Sequence, residues 1–270
     1  MSIKILLAVS TYNQLEYTKL CIDSINKLNE ENIELDLIIF DDASTDDTVK
    51  WCYENNIKVF KKIKGIGLTD SWNEAYKMFK DDKEYKYVIM ASNDTLIPQG
   101  AIRELVDVTE CWPFSVVVPM STEYGAGHNG KSQGIDVIYN GVDLMFVNNP
   151  NNYQAAQDKV LEIKAEIQKN NNLYMLDPHR MKMFNGFFFM MSRQVIEYEL
   201  SNGNLFDVSK PLYKSEDEFN WASLIPNNDF VALCQTAFVF HFKGVSAKGF
   251  TNENFKQMRE KLDERNEDDN

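Results

Sequence analysis

Three short stretches of this chain carry residue types at a spacing that could do chemistry. Leu37-Ile38-Ile39-Phe40 runs into Asp41-Asp42, with Ala43-Ser44-Thr45-Asp46-Asp47-Thr48 directly after. Tyr87-Val88-Ile89-Met90-Ala91 runs into Ser92-Asn93-Asp94. Both read as apolar strands that end in polar, acidic turns. A carboxylate there offers a hard oxygen ligand for Mg²⁺ or Mn²⁺, which also takes substrate phosphate oxygens. It can equally accept a hydrogen bond from a ligand N–H. Asn and Asp are also ordinary turn formers, so Ser92-Asn93-Asp94 alone reads as a turn as well. The third stretch is Glu216-Asp217-Glu218, with Phe219, Trp221 and Ala222 following at helical spacing. It reads either as a solvated helix start, favoured by the dipole, or as a general base facing a crevice. His241 stands inside the apolar run Ala237–Phe242. It is a core residue or a second ligand beside Asp94. Lys243, Ser246 and Lys248 follow in a Gly-containing loop suited to covering phosphates, whereas His128 and His179 fall in loops without an assignable partner.

The elements that must position these groups alternate. Strands are expected at Ile3–Val9, Leu35–Phe40, Ile57–Lys61, Tyr87–Ala91 and Ser115–Pro119. Helices are expected at Leu15–Leu28, Asp47–Asn55, Ser71–Phe79 and Ile102–Val108, with Ser44-Thr45-Asp46 capping the second and Gly65–Asp70 a loop. That alternation predicts βαβ units and a mainly parallel sheet. In such a sheet ligands bind outside the carboxyl ends of the strands, which is where Asp41 and Asp94 fall. From Ser121 to Asp177 the alternation fails. Gly125–Gly130 reads as a loop, Val142–Val147 as a strand and Tyr153–Lys169 as a helix. Gly186–Met191 and Phe238–Phe242 read as apolar strands, and Asn252–Asn270 as a charged, fraying tail.

Bulk composition narrows the function classes. The chain has 270 residues, 44% of them hydrophobic, enough for a sizeable core. Its 41 acidic and 28 basic residues give a net charge of -13. That disfavours nucleic-acid binding, which needs clustered Lys and Arg to replace counterions. The four cysteines, Cys21, Cys52, Cys111 and Cys234, form no CxxC pair, so a zinc site or disulfide framework is not expected. Reduced thiols, no secretory leader and no apolar run near ~20 residues predict a cytoplasmic protein without a transmembrane segment, with room for peripheral membrane contact. There is no GxGxxG after the first strand, no GxxxxGK[ST] and no GxSxG, which disfavours a dinucleotide oxidoreductase, a P-loop NTPase and a nucleophile-elbow hydrolase.

Taken in order, the motifs resemble a GT-A fold glycosyltransferase of the family 2 type. Val9-Ser10-Thr11-Tyr12-Asn13 is similar to the family's first-strand turn, and Phe40–Thr48 to its acidic turn. Trp72-Asn73-Glu74-Ala75 resembles the helix that carries an Asn after a Gly-containing loop. Ser92-Asn93-Asp94-Thr95 stands at the DxD position. Asn185–Met191 resembles the acceptor-side strand, Glu216-Asp217 the acidic pair with the base, and His241 and Ser246 the late residues near the diphosphate. The likeness spans residues 3 to 248, with little match over 121 to 180. Ser92 replaces the first DxD acid; variants with Asn at this motif occur in the family, particularly among rhamnosyltransferase-like members. Trp221 and Ala222 stand where the family has an Arg.

The resemblance implies an α/β GT-A fold, a Rossmann-like, mostly parallel central sheet flanked by helices. It implies one domain over 1–248, with 1–120 as the nucleotide-sugar-binding half and 121–248 as the acceptor-binding half, and a charged tail over 249–270. Thr11, Tyr12 and Asp41 would hold a pyrimidine base and ribose. Asn13, Asp42, Asn73, Ser92, Asn93, Lys243 and Ser246 would complete the donor site. Asp94 and His241 would hold Mn²⁺ or Mg²⁺, and Asp217 or its neighbour Glu216 would be the base. The implied reaction is inverting transfer of a hexose or deoxyhexose from a UDP- or dTDP-sugar to a hydroxyl of a glycan or lipid-linked glycan, as in polysaccharide biosynthesis. Two alternatives stand beside it. A degenerate glycan- or nucleotide-binding module would keep the fold without turnover. A sugar-nucleotide nucleotidyltransferase would need a Gly-rich basic loop after the first strand, which Ser10–Gln14 lacks.

Overall fold

The computed structural model describes residues 2–65, 67–113, 116–122, 134–135, 138–139, 142–143, 158, 161–162, 165, 186–198, 203–207 and 231–242. The first half alternates as the sequence patterning requires. β1 (Ile3–Thr11), α1 (Leu15–Asn26), β2 (Ile33–Asp41), α2 (Thr48–Glu54), β3 (Lys58–Lys61), α3 (Leu68–Asp81), β4 (Tyr87–Ser92), β5 (Thr95–Leu96), α4 (Ala101–Cys111) and β6 (Val116–Thr122) follow one another. Three two-residue strands come next, β7 (Gly134–Ile135), β8 (Ile138–Tyr139) and β9 (Val142–Asp143). β10 (Phe188–Ser192) leads into a 3-10 turn over Arg193–Tyr198, then β11 (Val231–Phe238) and β12 (Phe240–His241).

The central sheet runs β11-β6-β10-β4-β1-β2-β3, with β7 paired to β6. β1 pairs in parallel with β2 and β4, β2 with β3, and β6 with β11; β10 runs antiparallel between β4 and β6. From β1 the chain moves outward through β2 and β3, then crosses to the other side of β1 to make β4. The sheet therefore has a switch point at the carboxyl ends of β1 and β4, where adjacent connections diverge and leave a crevice.

Alternation along β1 explains the two cores. Ile5, Leu7 and Val9 pack with Cys21, Ile22, Ile25, Ile89, Ile102 and Leu105 on the face covered by α1 and α4. Leu6 and Ala8 pack with Trp72, Tyr76, Phe79, Val88 and Met90 on the face covered by α3. Both faces are covered, so the strands read as unbroken apolar runs. Each large side chain so buried contributes about 1.5–3 kcal/mol.

Several expectations are corrected in detail. α3 begins at Leu68, so Leu68, Thr69 and Asp70 are its first turn and not loop. Ser44 and Thr45 do not cap α2. Its N-cap is Asp47, without a side-chain cap bond, and Asp46 Oδ1 instead accepts the Thr48 N–H at 3.0 Å. The apolar run around His241 is split at Val239: Val231–Phe238 joins the central sheet, while Phe240–His241 pairs antiparallel with Thr95–Leu96. Of the expected strand at 142–147, Val142–Asp143 is a strand paired with Ile138–Tyr139. In the expected helix at 153–169, the described residues Asp158, Leu161, Glu162 and Ala165 are helical. The loop at 125–130 and the tail at 252–270 lie outside the described residues.

None of the four cysteines is in a disulfide. Burial pushes the Cys21 thiol up to about 12 and the Cys52 thiol to about 11, leaving both protonated and unreactive at neutral pH. Among the described residues no helix is long and apolar enough to cross a membrane.

Candidate active site

Three strand ends meet at the switch point. Thr11 of β1 is in register with Asp41 of β2, and Ser10 with Ser92 of β4. The turns that follow are cross-tied. Asp42 N–H donates to Thr11 O (2.8 Å) and Asn93 N–H to Ser10 O (3.1 Å). Asn13 N–H donates to Ser44 Oγ (2.7 Å), and Asn13 Oδ1 accepts the Thr45 and Asp46 N–H groups at 2.8 and 3.3 Å. Asn13, Gln14 and Ala43 take left-handed backbone, with φ of 55°, 65° and 63°. That conformation costs a residue with a Cβ roughly 1–2 kcal/mol, so these turns persist because the cross-ties hold them.

Asp41 is fully buried at the end of β2. Burial raises its carboxyl above the ordinary value of 3.8, opposed by hydrogen bonds from Ser44. Ser44 N–H lies 3.1 Å from Oδ2 and 3.3 Å from Oδ1. Tyr12, directly after Thr11 at the end of β1, is 40% exposed.

Asp94 stands on the other side of the switch point. It is 1% exposed, and neither carboxylate oxygen has a hydrogen-bond donor among the described residues. Its backbone carbonyl accepts the Phe242 N–H at 3.0 Å, which seats β12 beside it. His241 Nε2 then lies 3.4 Å from Asp94 Oδ1. The imidazole stacks flat on Phe187, with ring centroids 4.3 Å apart at 10°. Phe187 O also accepts the Ser92 N–H at 2.8 Å. A buried carboxylate without donors is costly unless a cation compensates it. One carboxylate and one imidazole are two ligands, and no group of three or more His, Cys, Asp or Glu that could hold a metal occurs among the described residues. That donor set suits Mg²⁺ or Mn²⁺, which complete their shells with water and substrate phosphates.

Several residues expected to touch a ligand spend their polar groups inside the protein. Thr11 is buried, and its hydroxyl donates to Asn13 O. Asp42 receives Lys62 Nζ at 2.5 Å and Gly67 N–H at 2.9 Å. The Asn73 amide accepts Leu205 and Phe206 N–H at 3.1 and 2.8 Å and donates to Phe206 O at 2.9 Å. Asn93 is 1% exposed and donates to two threonine hydroxyls. Ser92 is buried, its carbonyl accepting the Thr95 hydroxyl. Lys62, Thr18 and Phe187 support the site without having been expected there. For Lys62 the available signal was Gly65 and Gly67, spaced to bring the chain back over the acidic turn: a Cβ on Gly65 would stand 2.7 Å from Asp42 O. Glu216, Asp217, Lys243 and Ser246 lie outside the described residues.

The family model described as Glycosyl transferase family 2 matches residues 7–198, a span holding the acidic turn and Ser92-Asn93-Asp94. The chain belongs to glycosyl transferase family 2. Its GT-A fold is similar to that in a crystal structure of GalNAc-T7 with UDP, GalNAc and Mn²⁺, with a TM-score of 0.61 and 13% identity over 89% of this chain and 44% of that one. It is similar also to S. aureus TarS 1-349 in complex with UDP-GlcNAc, with a TM-score of 0.56 and 15% identity over 95% and 64% of the two chains. The mannosyltransferase PcManGT from Pyrobaculum calidifontis, in complex with GDP-Man and Mn²⁺, gives a TM-score of 0.55 and 13% identity over 90% and 58%. This family 2 chain thus spans less than half the length of GalNAc-T7 and 64% of TarS 1-349. No curated protein matches it.

Proposed function

We propose that this protein transfers a sugar from a UDP- or dTDP-sugar to a hydroxyl of a glycan or lipid-linked glycan. The observation that carries the proposal is Asp94: a buried carboxylate without a hydrogen-bond donor among the described residues, beside His241, at the switch point of a GT-A sheet. Family membership and the UDP, UDP-GlcNAc and GDP-Man in the similar structures support a nucleotide-sugar donor. Residues 1–120 form the donor half and 121–248 the acceptor half, with strands of both woven into one sheet.

Asp94 and His241 would hold Mn²⁺ or Mg²⁺, which supplies Lewis-acid neutralisation of charge on a departing diphosphate. Asp41 accepts the N3–H of uracil or thymine, and Tyr12 stacks on the ring. Asp217, or Glu216 beside it, takes the proton of the acceptor hydroxyl, which is worth about 10²–10⁴-fold. The hydroxyl oxygen bonds to the anomeric carbon as the bond to the diphosphate oxygen breaks on the opposite face. The product is inverted and the nucleoside diphosphate leaves.

The test is thermal stabilisation by UDP, dTDP, GDP and their sugars, each with Mn²⁺, Mg²⁺ or EDTA. A ligand at about 100 times its Kd adds about 2.7 kcal/mol to a native state that alone binds it. The expected result is a shift with one pyrimidine diphosphate that grows with the cation and loses that growth in Asp94→Ala. No shift with any nucleotide overturns the donor reading. A shift equal with cation and EDTA overturns the role of Asp94.

A further inference from the structure

Asn93 occupies the middle of the acidic triplet, yet it points away from the crevice. Its amide nitrogen lies 3.0 Å from Thr11 Oγ1 and 2.9 Å from Thr18 Oγ1. Both hydroxyls are buried, and Thr18 lies on α1 beneath the β1 turn. Thr11 Oγ1 donates to Asn13 O at 3.2 Å and Thr18 Oγ1 to Gln14 O at 3.3 Å, and the two hydroxyl oxygens lie 3.2 Å from each other. With its proton directed at a carbonyl or at the other threonine, each hydroxyl turns lone pairs to Asn93, and the amide presents N–H groups to them. The amide nitrogen meets both hydroxyls, with Asn13 O a longer third acceptor at 3.4 Å, and the two hydroxyls pass the order on to the carbonyls of Asn13 and Gln14. Those are the two consecutive left-handed residues of the turn, and Asn13 is the one that grips Thr45 and Asp46.

We infer that Asn93 is a positioning residue, whose amide polarity sets the β1 turn and through it the nucleoside-binding crevice, and that an acid cannot replace it. The inference rests on the nucleotide-binding reading given above. An Asp at 93 has the same shape but opposite polarity. Its carboxylate would demand the protons that Thr11 and Thr18 give to Asn13 and Gln14. The turn would lose those two bonds or the carboxylate would stay buried without donors, and a buried unsatisfied group costs more than a lost bond. A ligand-side Asn93 would behave oppositely, since Asp there would add a carboxylate for the cation and strengthen cation-dependent binding.

The experiment measures UDP and dTDP affinity calorimetrically, with Mn²⁺ and with EDTA, for wild type, Asn93→Asp, Thr18→Val and Thr18→Ser. Thr18 lies on α1, buried beneath the β1 turn with its hydroxyl on Asn93 and Gln14 O, so an effect there is expected to pass through the turn. Expected are losses of at least about fivefold in Asn93→Asp and Thr18→Val, in EDTA as well as in Mn²⁺, with Thr18→Ser near wild type. The double variant Asn93→Asp/Thr18→Val should lose less than the product of the single losses, because both break one network. Unchanged affinity in Thr18→Val, or tighter Mn²⁺-dependent binding in Asn93→Asp, overturns the inference. A fall in melting temperature with wild-type affinity also overturns it, because the pair would then be merely structural. A wild type that binds neither nucleotide defeats the underlying reading instead.

Discussion

In the proposed donor site, Asp41 would meet opposite demands from folding and binding. Burial raises its carboxyl above the ordinary value, and the hydrogen bonds from Ser44 only partly offset this. A raised acid binds protons more readily folded than unfolded. The free protein is therefore most favoured by Asp41 below the ordinary value, and that advantage is lost as pH rises through the window up to the raised value. In the proposed site binding would run the other way, because an ionised carboxylate accepts a pyrimidine N3–H more strongly than a neutral carboxyl does. UDP affinity should thus fall as pH drops through the raised value, earlier than for an ordinary carboxylate. Asp41→Asn should bind weakly at all pH and lose this dependence. Calorimetric titrations of both proteins between about pH 4 and 7 check this, and a flat wild-type profile removes Asp41 from the site.

At the scale of elements, the segment from β3 to α3 is tied to the acidic turn by one cation. Lys62 Nζ reaches Asp42 Oδ1 at 2.5 Å and Asp70 Oδ2 at 2.8 Å, and its side chain is only 8% exposed. Asp70 lies in the first turn of α3, so the bridge fixes where that helix starts relative to the end of β2. Lys62→Met keeps most of the apolar stem but leaves two carboxylates near each other with their shared cation gone. Removing the cation from this part-buried network should destabilise by about 1–3 kcal/mol. Urea unfolding should show that loss with an unchanged m value. Asp70→Asn in the same background should recover part of it, since one of the stranded charges is removed.

On the scale of the molecule, both halves of the chain contribute strands to one sheet. The three crossings that end at Thr11, Asp41 and Ser92 come from the first half of the chain, while β10 and β11 bring the second half into the same sheet. If the base comes from the second half, donor binding and transfer separate. Asp217→Asn should keep wild-type nucleotide affinity and lose transfer by about 10²–10⁴-fold. Transfer that survives in Asp217→Asn and fails in Glu216→Gln would move the base to the neighbour.

The sequence by itself determined the parallel βαβ order of the first half, because apolar runs covered on both faces alternate with stretches of helical period. It also determined that Asp41 and Asp94 fall at strand ends, since Asp41 directly follows such a run and Asp94 follows one after Ser92 and Asn93. It could not tell which polar residues face the crevice. Thr11, Asp42, Asn73 and Asn93 have the same residue types whether they meet a ligand or the protein, and only tertiary packing gave each an internal partner. Nor could it separate Phe238 from Phe240 into different sheets, because an apolar run has the same period on either side of a bend. The pairing of His241 with Asp94, 147 positions apart in the chain, arose from β12 docking on β5. Local propensity is blind to such a contact, and the fold creates it.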